Sequence, residues 1–282
     1  MINLIKSVIL AKTILTKEIT FKVLIIYHYI KLSLNMNLKI YKTSDQAKGS
    51  FNGGEILENK PIGFPQDRGK LKPYSNLFYW AHAWTKSKKS TIGLHPHQGF
   101  EICSFVLRGK INHFDSKQNK WIPLSKGDVQ IIRAGNGISH AEELDKNSEI
   151  FQIWFDPNLE NSLKNIASYD DYSVSQFKIK NKNNGFSTTI IKGEGSPMRM
   201  DTEGISINIH DLKKGSFLIQ TSKEKVHSIF VLDGDIQLEG KKTIKGTFLT
   251  ISQTNSFEIY CYRKSSIFEV ISPLYPSYRT YS

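Results

Sequence analysis

The chain has 282 residues, 39% of them apolar and 23% charged, the balance of a soluble globular protein and not of a disordered or collagen-like one. Its two cysteines, Cys103 and Cys261, stand far apart without a C-x-x-C pattern. That argues against a disulfide framework or a cysteine-based zinc site and fits a reducing compartment, so a cytoplasmic location is expected. A net charge of +12 would permit contact with nucleic acid or an acidic surface. The lysines, however, are scattered in short clusters such as Lys86, Lys88, Lys89 and Lys241, Lys242, Lys245. With no basic stripe and no nucleic-acid motif, they read as solvated faces, and no direct nucleic-acid partner is expected.

In chain order, residues 1–35 are apolar but punctured by Lys6, Lys12, Lys17, Glu18, Lys22 and Lys31. No uncharged run approaches the ~20 residues of a membrane helix, and no signal-peptide core or cleavage site is visible. The stretch is therefore expected to be an upstream extension, non-native or disordered and without a role in the fold, with the natural chain beginning at Met36. A membrane-associating leader is the weaker reading, and no membrane partner is expected. From about residue 75, short β-branched and aromatic runs follow one another: "ICSFVL" (102–107), "DVQIIR" (128–133) and "EIFQIWF" (149–155). Glycine turns such as Arg108-Gly109 and Gly135-Asn136-Gly137 separate them. The polar interval 156–177 breaks the pattern and has room for one or two helical turns. Strand runs then resume to the end of the chain, with Asp233-Gly234 as a hairpin signal. An all-β chain of two tandem barrels or sandwiches is expected.

The chemistry is concentrated in residues 93–142. "GLHPHQGFE" places His95 and His97 at i and i+2, so on an extended strand both imidazoles point to one side and can reach one ion. Further on, "AGNGISHAEEL" places His140 and Glu142 at the same spacing. If these two strands are neighbours, three neutral nitrogens and one carboxylate converge. A single His-x-His would be a weak signal; two such pairs beside glycine-rich turns are a strong one. Glu101 has the parity of His95 and His97, so it could ligate in place of Glu142 or orient an imidazole from behind. Gly99, by bending the strand, would decouple that parity. Lone strand histidines are usually hydrogen-bonded structural residues, and His82, His113, His210 and His227 are read that way.

The segments "HPHQGFE", "LRGKINHFDS", "GDVQIIRAGNGISHAE" and "FQIWFDP" together resemble the metal-binding half of the pirin family, within the cupin superfamily. The resemblance is dense over residues 91–157, weak before 75 and weaker after 160. General cupins carry a proline where this chain has Arg133, and the G-x-G-I-x-H-x-E form from Gly135 to Glu142 resembles pirins in particular. Carried over position by position, the pirin ligands fall on His95, His97, His140 and Glu142. Pirins are bicupins whose C-terminal barrel has lost its metal site, and the second half here offers only His210 and His227. The resemblance implies two tandem jelly-roll-like cupin barrels with one metal site, in the N-terminal barrel. The expected division is a metal-binding domain over 36–157, a linker over 158–177 and a metal-free domain over 178–282.

Imidazoles with one carboxylate suit iron, nickel, copper, manganese or zinc and disfavour calcium and magnesium; Fe(2+) is the first expectation. One carboxylate on a dication leaves a site charge near +1, which attracts a deprotonated phenol or enol. Four protein ligands on an ion that takes six leave room for that oxygen and for O2. The resemblance implies a dioxygenase of the quercetin 2,3-dioxygenase type acting on a phenolic or enolic substrate, with Glu142 or Glu101 as the candidate base. The alternative is a non-enzymatic, iron-dependent redox sensor that binds transcription or metabolic proteins. A metal-dependent isomerase or hydrolase, as found elsewhere among cupins, has no specific support.

Overall fold

The computed structural model describes residues 36–182 and 184–281; the expectations for residues 1–35 lie outside them. The chain opens with β1 (Asn37–Tyr41), β2 (Ala47–Phe51), β3 (Ile56–Ile62), β4 (Leu77–Thr85), β5 (Ser90–His97) and β6 (Glu101–Arg108). There follow β7 (Lys110–Asp115), β8 (Trp121–Ser125), β9 (Val129–Arg133), β10 (Ile138–Leu144), β11 (Glu149–Phe155), a single helical turn α1 (Leu159–Ser162) and β12 (Ser168–Tyr172). The second half holds β13 (Lys178–Lys182), β14 (Phe186–Lys192), β15 (Ser206–Leu212), β16 (Gly215–Gln220) and β17 (Lys225–Asp233). It ends with β18 (Asp235–Leu238), β19 (Lys241–Ile244), β20 (Phe248–Ser252), β21 (Ser256–Cys261) and β22 (Ser265–Pro273).

Each half is a seven-stranded sheet facing a four-stranded one. The first pairs β12-β9-β6-β11-β4-β3-β2 with β5-β10-β7-β8; the second pairs β1-β20-β17-β22-β15-β14-β13 with β16-β21-β18-β19. The expected all-β arrangement of two barrels is therefore found. Why the central strands read as nearly unbroken apolar runs is also clear, because both of their faces are buried. On β11, Phe151, Ile153 and Phe155 point outward into a core shared between the two barrels. There Trp80 meets Phe248 at 5.1 Å and Phe268 at 5.5 Å between ring centres, both edge-on. The barrels thus pack back to back through their large sheets.

The sheet boundaries cut across the expected segments. β1, expected in the first domain, pairs antiparallel with β20 and closes the edge of the second barrel. Residues 158–177, expected as a linker, contribute β12, which covers the β9 edge of the first barrel. Both exchanges cap edges that would otherwise expose unpaired backbone groups. The polar sequence "SYDDY" of β12 hides this, since an edge strand does not need two apolar faces. Among the described residues no helix is long and apolar enough to cross a membrane.

Candidate metal centre

His95 and His97 lie on β5, His140 and Glu142 on β10, and the two strands pair antiparallel with His140 opposite His95. Between His140 and Glu142 the register slips, so that Glu142 stands opposite Ile92 and one extra residue is accommodated on β5. This bulge re-aims the side chains on either side of it. The result is a cluster in which ligand atoms of His95, His97 and His140 all lie within 4.8 Å of one another. His97 Nε2 and His140 Nε2 are 3.1 Å apart. Two nitrogens at about 2.1 Å from one ion and at right angles would stand roughly 3.0 Å apart, so the pair fits adjacent positions on a metal. His95 Nδ1–H donates to the Gly93 carbonyl at 2.7 Å, which leaves the Nε2 lone pair free to ligate.

Two of the imidazoles, His97 and His140, are held neutral. Burial, and after it the neighbouring His95, pushes His97 down to about 4. Burial pushes the fully enclosed His140 well below the ordinary histidine value, with His95, His97 and His113 adding to the effect. Neutral rings with lone pairs turned together are what a divalent ion requires. Buried His140 Nδ1 has no partner, an unmet hydrogen bond at the cluster's edge.

Glu142 is fully buried and fixed by three donors. Ser104 Oγ and Gln130 Nε2 reach its Oε1 at 2.7 and 2.8 Å, and Gln152 Nε2 donates to its Oε2. These polar side chains stand on β6, β9 and β11, on the inner face of the large sheet. Glu142 groups with His140 and His113, again with ligand atoms within 4.8 Å. His140 is thus common to two overlapping triads, and the four expected residues are linked through it.

His113 was expected to be a structural histidine, and its place here was not anticipated. It lies on β7, directly opposite Glu142 of β10, and is fully buried. Its Nε2 donates to Asp115 Oδ2 at 2.8 Å, while Asp115 Oδ1 accepts the amides of Lys117 and Gln118 at 2.7 Å. That leaves His113 Nδ1 as a buried lone pair without a partner, beside the Tyr169 ring stacked on it at 4.5 Å. The H-x-D spacing is the one local signal that could have singled it out.

Glu101 is not brought to the cluster. Gly99 adopts φ +88, its amide donates to the Gly135 carbonyl at 2.9 Å, and the chain passes from the small sheet to the large one. Glu101 therefore starts β6 on the opposite sheet and points away, toward the second half of the chain. It accepts the amide of Asp201 at 2.8 Å, and from Thr202 both the amide at 3.0 Å and the hydroxyl at 2.5 Å. Arg133, the residue that replaces the usual cupin proline, stands 3.8 Å away and also pairs with Asp170 at 2.9 Å. Burial pushes the Glu101 pKa up against these donors. The carboxylate is an inter-barrel tie, which corrects its reading as base or ligand. Glu101→Gln should keep its metal yet lose about 2 kcal/mol, since the new NH2 group faces N–H donors. The check is metal analysis beside thermal melting, in which loss of metal with an unchanged Tm would overturn the assignment.

Beside His97 the barrel opens into a cavity of about 790 Å3 walled by Phe64, Phe78, Phe100, Trp154 and Tyr281. Phe100 stacks on Trp154 at 4.9 Å, and both rings meet the His97 imidazole edge-on, at 5.3 and 5.2 Å. The two-barrel fold thus sets three convergent imidazoles, a group that could hold a metal ion, beside an apolar, aromatic-walled cavity.

Comparison with known proteins narrows this class. Residues 60–155 match the pirin family. Over 188 residues the chain is 26% identical to the quercetin 2,3-dioxygenase of Escherichia coli K12, covering 62% of this chain and 74% of that one. Over 102 residues it is 38% identical to pirin-like protein 2 of Arabidopsis thaliana, covering 36% of this chain and 30% of that one. A relative from Zymomonas mobilis is matched over 50% of its length. Among solved structures, the E. coli pirin YhhW in complex with nickel(II) superposes with a TM-score of 0.70 at 20% identity, over 84% of this chain and 99% of that one. The chain thus carries a region similar to the pirin family over residues 60–155, within a fold shared with solved pirins.

Proposed function

We propose that this chain is a metal-dependent dioxygenase of the quercetin 2,3-dioxygenase type, acting on a phenolic or enolic substrate and O2. One divalent transition-metal ion, iron the first candidate, is held by His95, His97, His140 and Glu142. The observation that carries the reading is the convergence of three imidazoles beside an aromatic-walled cavity that His97 lines. Support also comes from the E. coli relative named for this activity, and from a nickel-bound relative that leaves other metals open.

A bound divalent ion supplies Lewis acidity that lowers the pKa of a substrate hydroxyl and a place for O2 beside it. The chain's own residues do the rest. Phe100 and Trp154, stacked on each other and edge-on to His97, form an apolar wall that places an aromatic substrate beside the cluster and excludes water. Ser104, Gln130 and Gln152 hold Glu142 oriented by three hydrogen bonds. With Glu101 committed elsewhere, Glu142 is the one of the two candidate bases that stands at the cluster to take a proton.

The iron-loaded protein should consume O2 with a flavonol, and His97→Ala should abolish the uptake. Methylating the metal-facing hydroxyl of the substrate should do the same with the ring system unchanged. Tight iron binding without O2 uptake over a broad panel of phenols and enols would sink the dioxygenase reading. It would favour the redox-dependent regulator, for which one observation speaks: the segment bearing His95 and His97 runs straight into the Glu101 tie between the barrels. In that case oxidising the iron should change affinity for a protein partner by about tenfold or more.

A further inference from the structure

The second barrel does not end on itself. After β22, the Leu274 amide is tied to the Glu224 carbonyl at 2.7 Å, and the chain then crosses to the first barrel. Ser277 donates its amide and hydroxyl to Glu203 at 2.5 and 2.7 Å. The Tyr278 hydroxyl donates to the Asp156 carbonyl at 2.8 Å, and the Tyr281 amide to Asp156 Oδ2 at 2.5 Å. Four side-chain or backbone anchors thus pin residues 277–281 as a strap along the mouth of the aromatic cavity.

The strap's ring faces inward. Tyr281 lies 5.2 Å from Phe78, inclined by 34°, and 6.5 Å from Phe64. Phe78 in turn meets Phe100 edge-on at 5.2 Å, and Phe100 meets His97. A line of aromatic rings therefore runs from the imidazole cluster to the strap. Tyr281 is itself 52% exposed, a large ring surface left facing the opening. Arg279 also lines the cavity and makes no ion pair among the described residues.

We infer that residues 277–281, supplied by the second barrel, form the outer wall of the first barrel's substrate cavity, and that Tyr281 selects planar substrates of two or more rings. The inference rests on reading that cavity as the substrate site. A one-ring phenol placed with its hydroxyl at the cluster is covered by Phe100 and Trp154 alone. A substrate with a further ring extends to the mouth, where Tyr281 supplies the stacking face. The second barrel thereby sets specificity for a site it does not contain.

The test uses the full chain without metal, quercetin and catechol as probes, and quenching of tryptophan fluorescence, to which Trp154 in the cavity wall reports. Tyr281→Ala should bind quercetin about tenfold more weakly, the loss of one aromatic contact, and catechol as wild type does. Tyr281→Phe should bind both as wild type does. In the iron-loaded protein, Tyr281→Ala should raise KM for quercetin with kcat little changed. Equal weakening of both probes, unchanged quercetin binding, or no quercetin binding by wild type would each overturn the inference. Tyr281-dependent binding without O2 uptake would leave the inference standing and remove the dioxygenase reading.

Discussion

His140→Ala is expected to leave a folded β-rich protein that no longer retains a metal ion. His140 is the member common to both triads, so its loss leaves His95 with His97 on one side and His113 with Glu142 on the other. Affinity should fall by more than the ~10–100-fold typical of changes behind the ligands. The fold should survive because the largest core does not involve the cluster. Trp80, Phe105, Phe151, Phe230, Phe248 and Phe268 are packed between the two large sheets, on the faces turned away from the site. The variant already relieves one cost, the unpartnered Nδ1 of a buried imidazole. Metal analysis after purification under nitrogen, with thermal melting of the metal-free proteins, measures both halves of the expectation. Full occupancy in His140→Ala and in His95→Ala would refute the ligand assignment.

How far the site could be read without coordinates follows from what each residue depends on. His95, His97, His140 and Glu142 were legible because strand alternation is a local property, and each pair needs only two residues of extended chain. That the two strands are neighbours was a plausible pairing, and the register confirms it. Glu101 misled because parity holds only along one continuous strand, and the positive φ of Gly99 ends β5 before Glu101 is reached. His113 was missed because its approach to Glu142 is made across β7 and β10, about thirty residues apart in sequence. The strap has no periodic pattern at all; "YPSYRTYS" acquires meaning only when the end of the second barrel is seen to cross the first. The edge strands β1 and β12 are short and polar, and their exchange between halves leaves no trace in hydrophobic spacing.

The contrast between the two barrel interiors gives the second large expected effect. Where the first barrel carries the imidazole cluster, the second is filled by Ile229, Val231, Leu249, Ile251, Phe257 and Ile267 around a buried His–Glu–His group. Glu269 Oε2 accepts from His210 Nε2 at 2.9 Å and its Oε1 from His227 Nδ1 at 2.7 Å. The far ring nitrogens face hydroxyls, Thr188 on His210 at 2.9 Å and Thr221 on His227. Hydroxyls that donate there fix both N–H groups toward the carboxylate. Burial alone would raise the Glu269 pKa, but the bonds from His210 and His227 outweigh it and hold the carboxyl well below the usual range. Every ring nitrogen and carboxylate oxygen is engaged, which makes this a structural group, in accord with His210 and His227 being read as hydrogen-bonded core residues.

Glu269→Ala removes the acceptor of two buried N–H donors at once. The expected loss is about 3–5 kcal/mol, or roughly 10 °C in Tm for a chain of this size. Glu269→Gln keeps the shape and one acceptor, so its loss should be intermediate. The pH dependence carries a definite sign. A carboxyl whose pKa is depressed on folding stabilises fully above its unfolded value of about 4.3, and that contribution fades as pH falls through the lower folded value. The gap in Tm between wild type and Glu269→Ala should therefore be widest near neutrality and narrow progressively in acid below about pH 4. Metal content should be unchanged, since the group is remote from the His140 cluster in sequence and barrel. Melting curves at pH 7 and at pH 3.5 decide the matter: equal Tm at pH 7, or a gap that widens in acid, would show that Glu269 is not held as a charged acceptor between the two imidazoles.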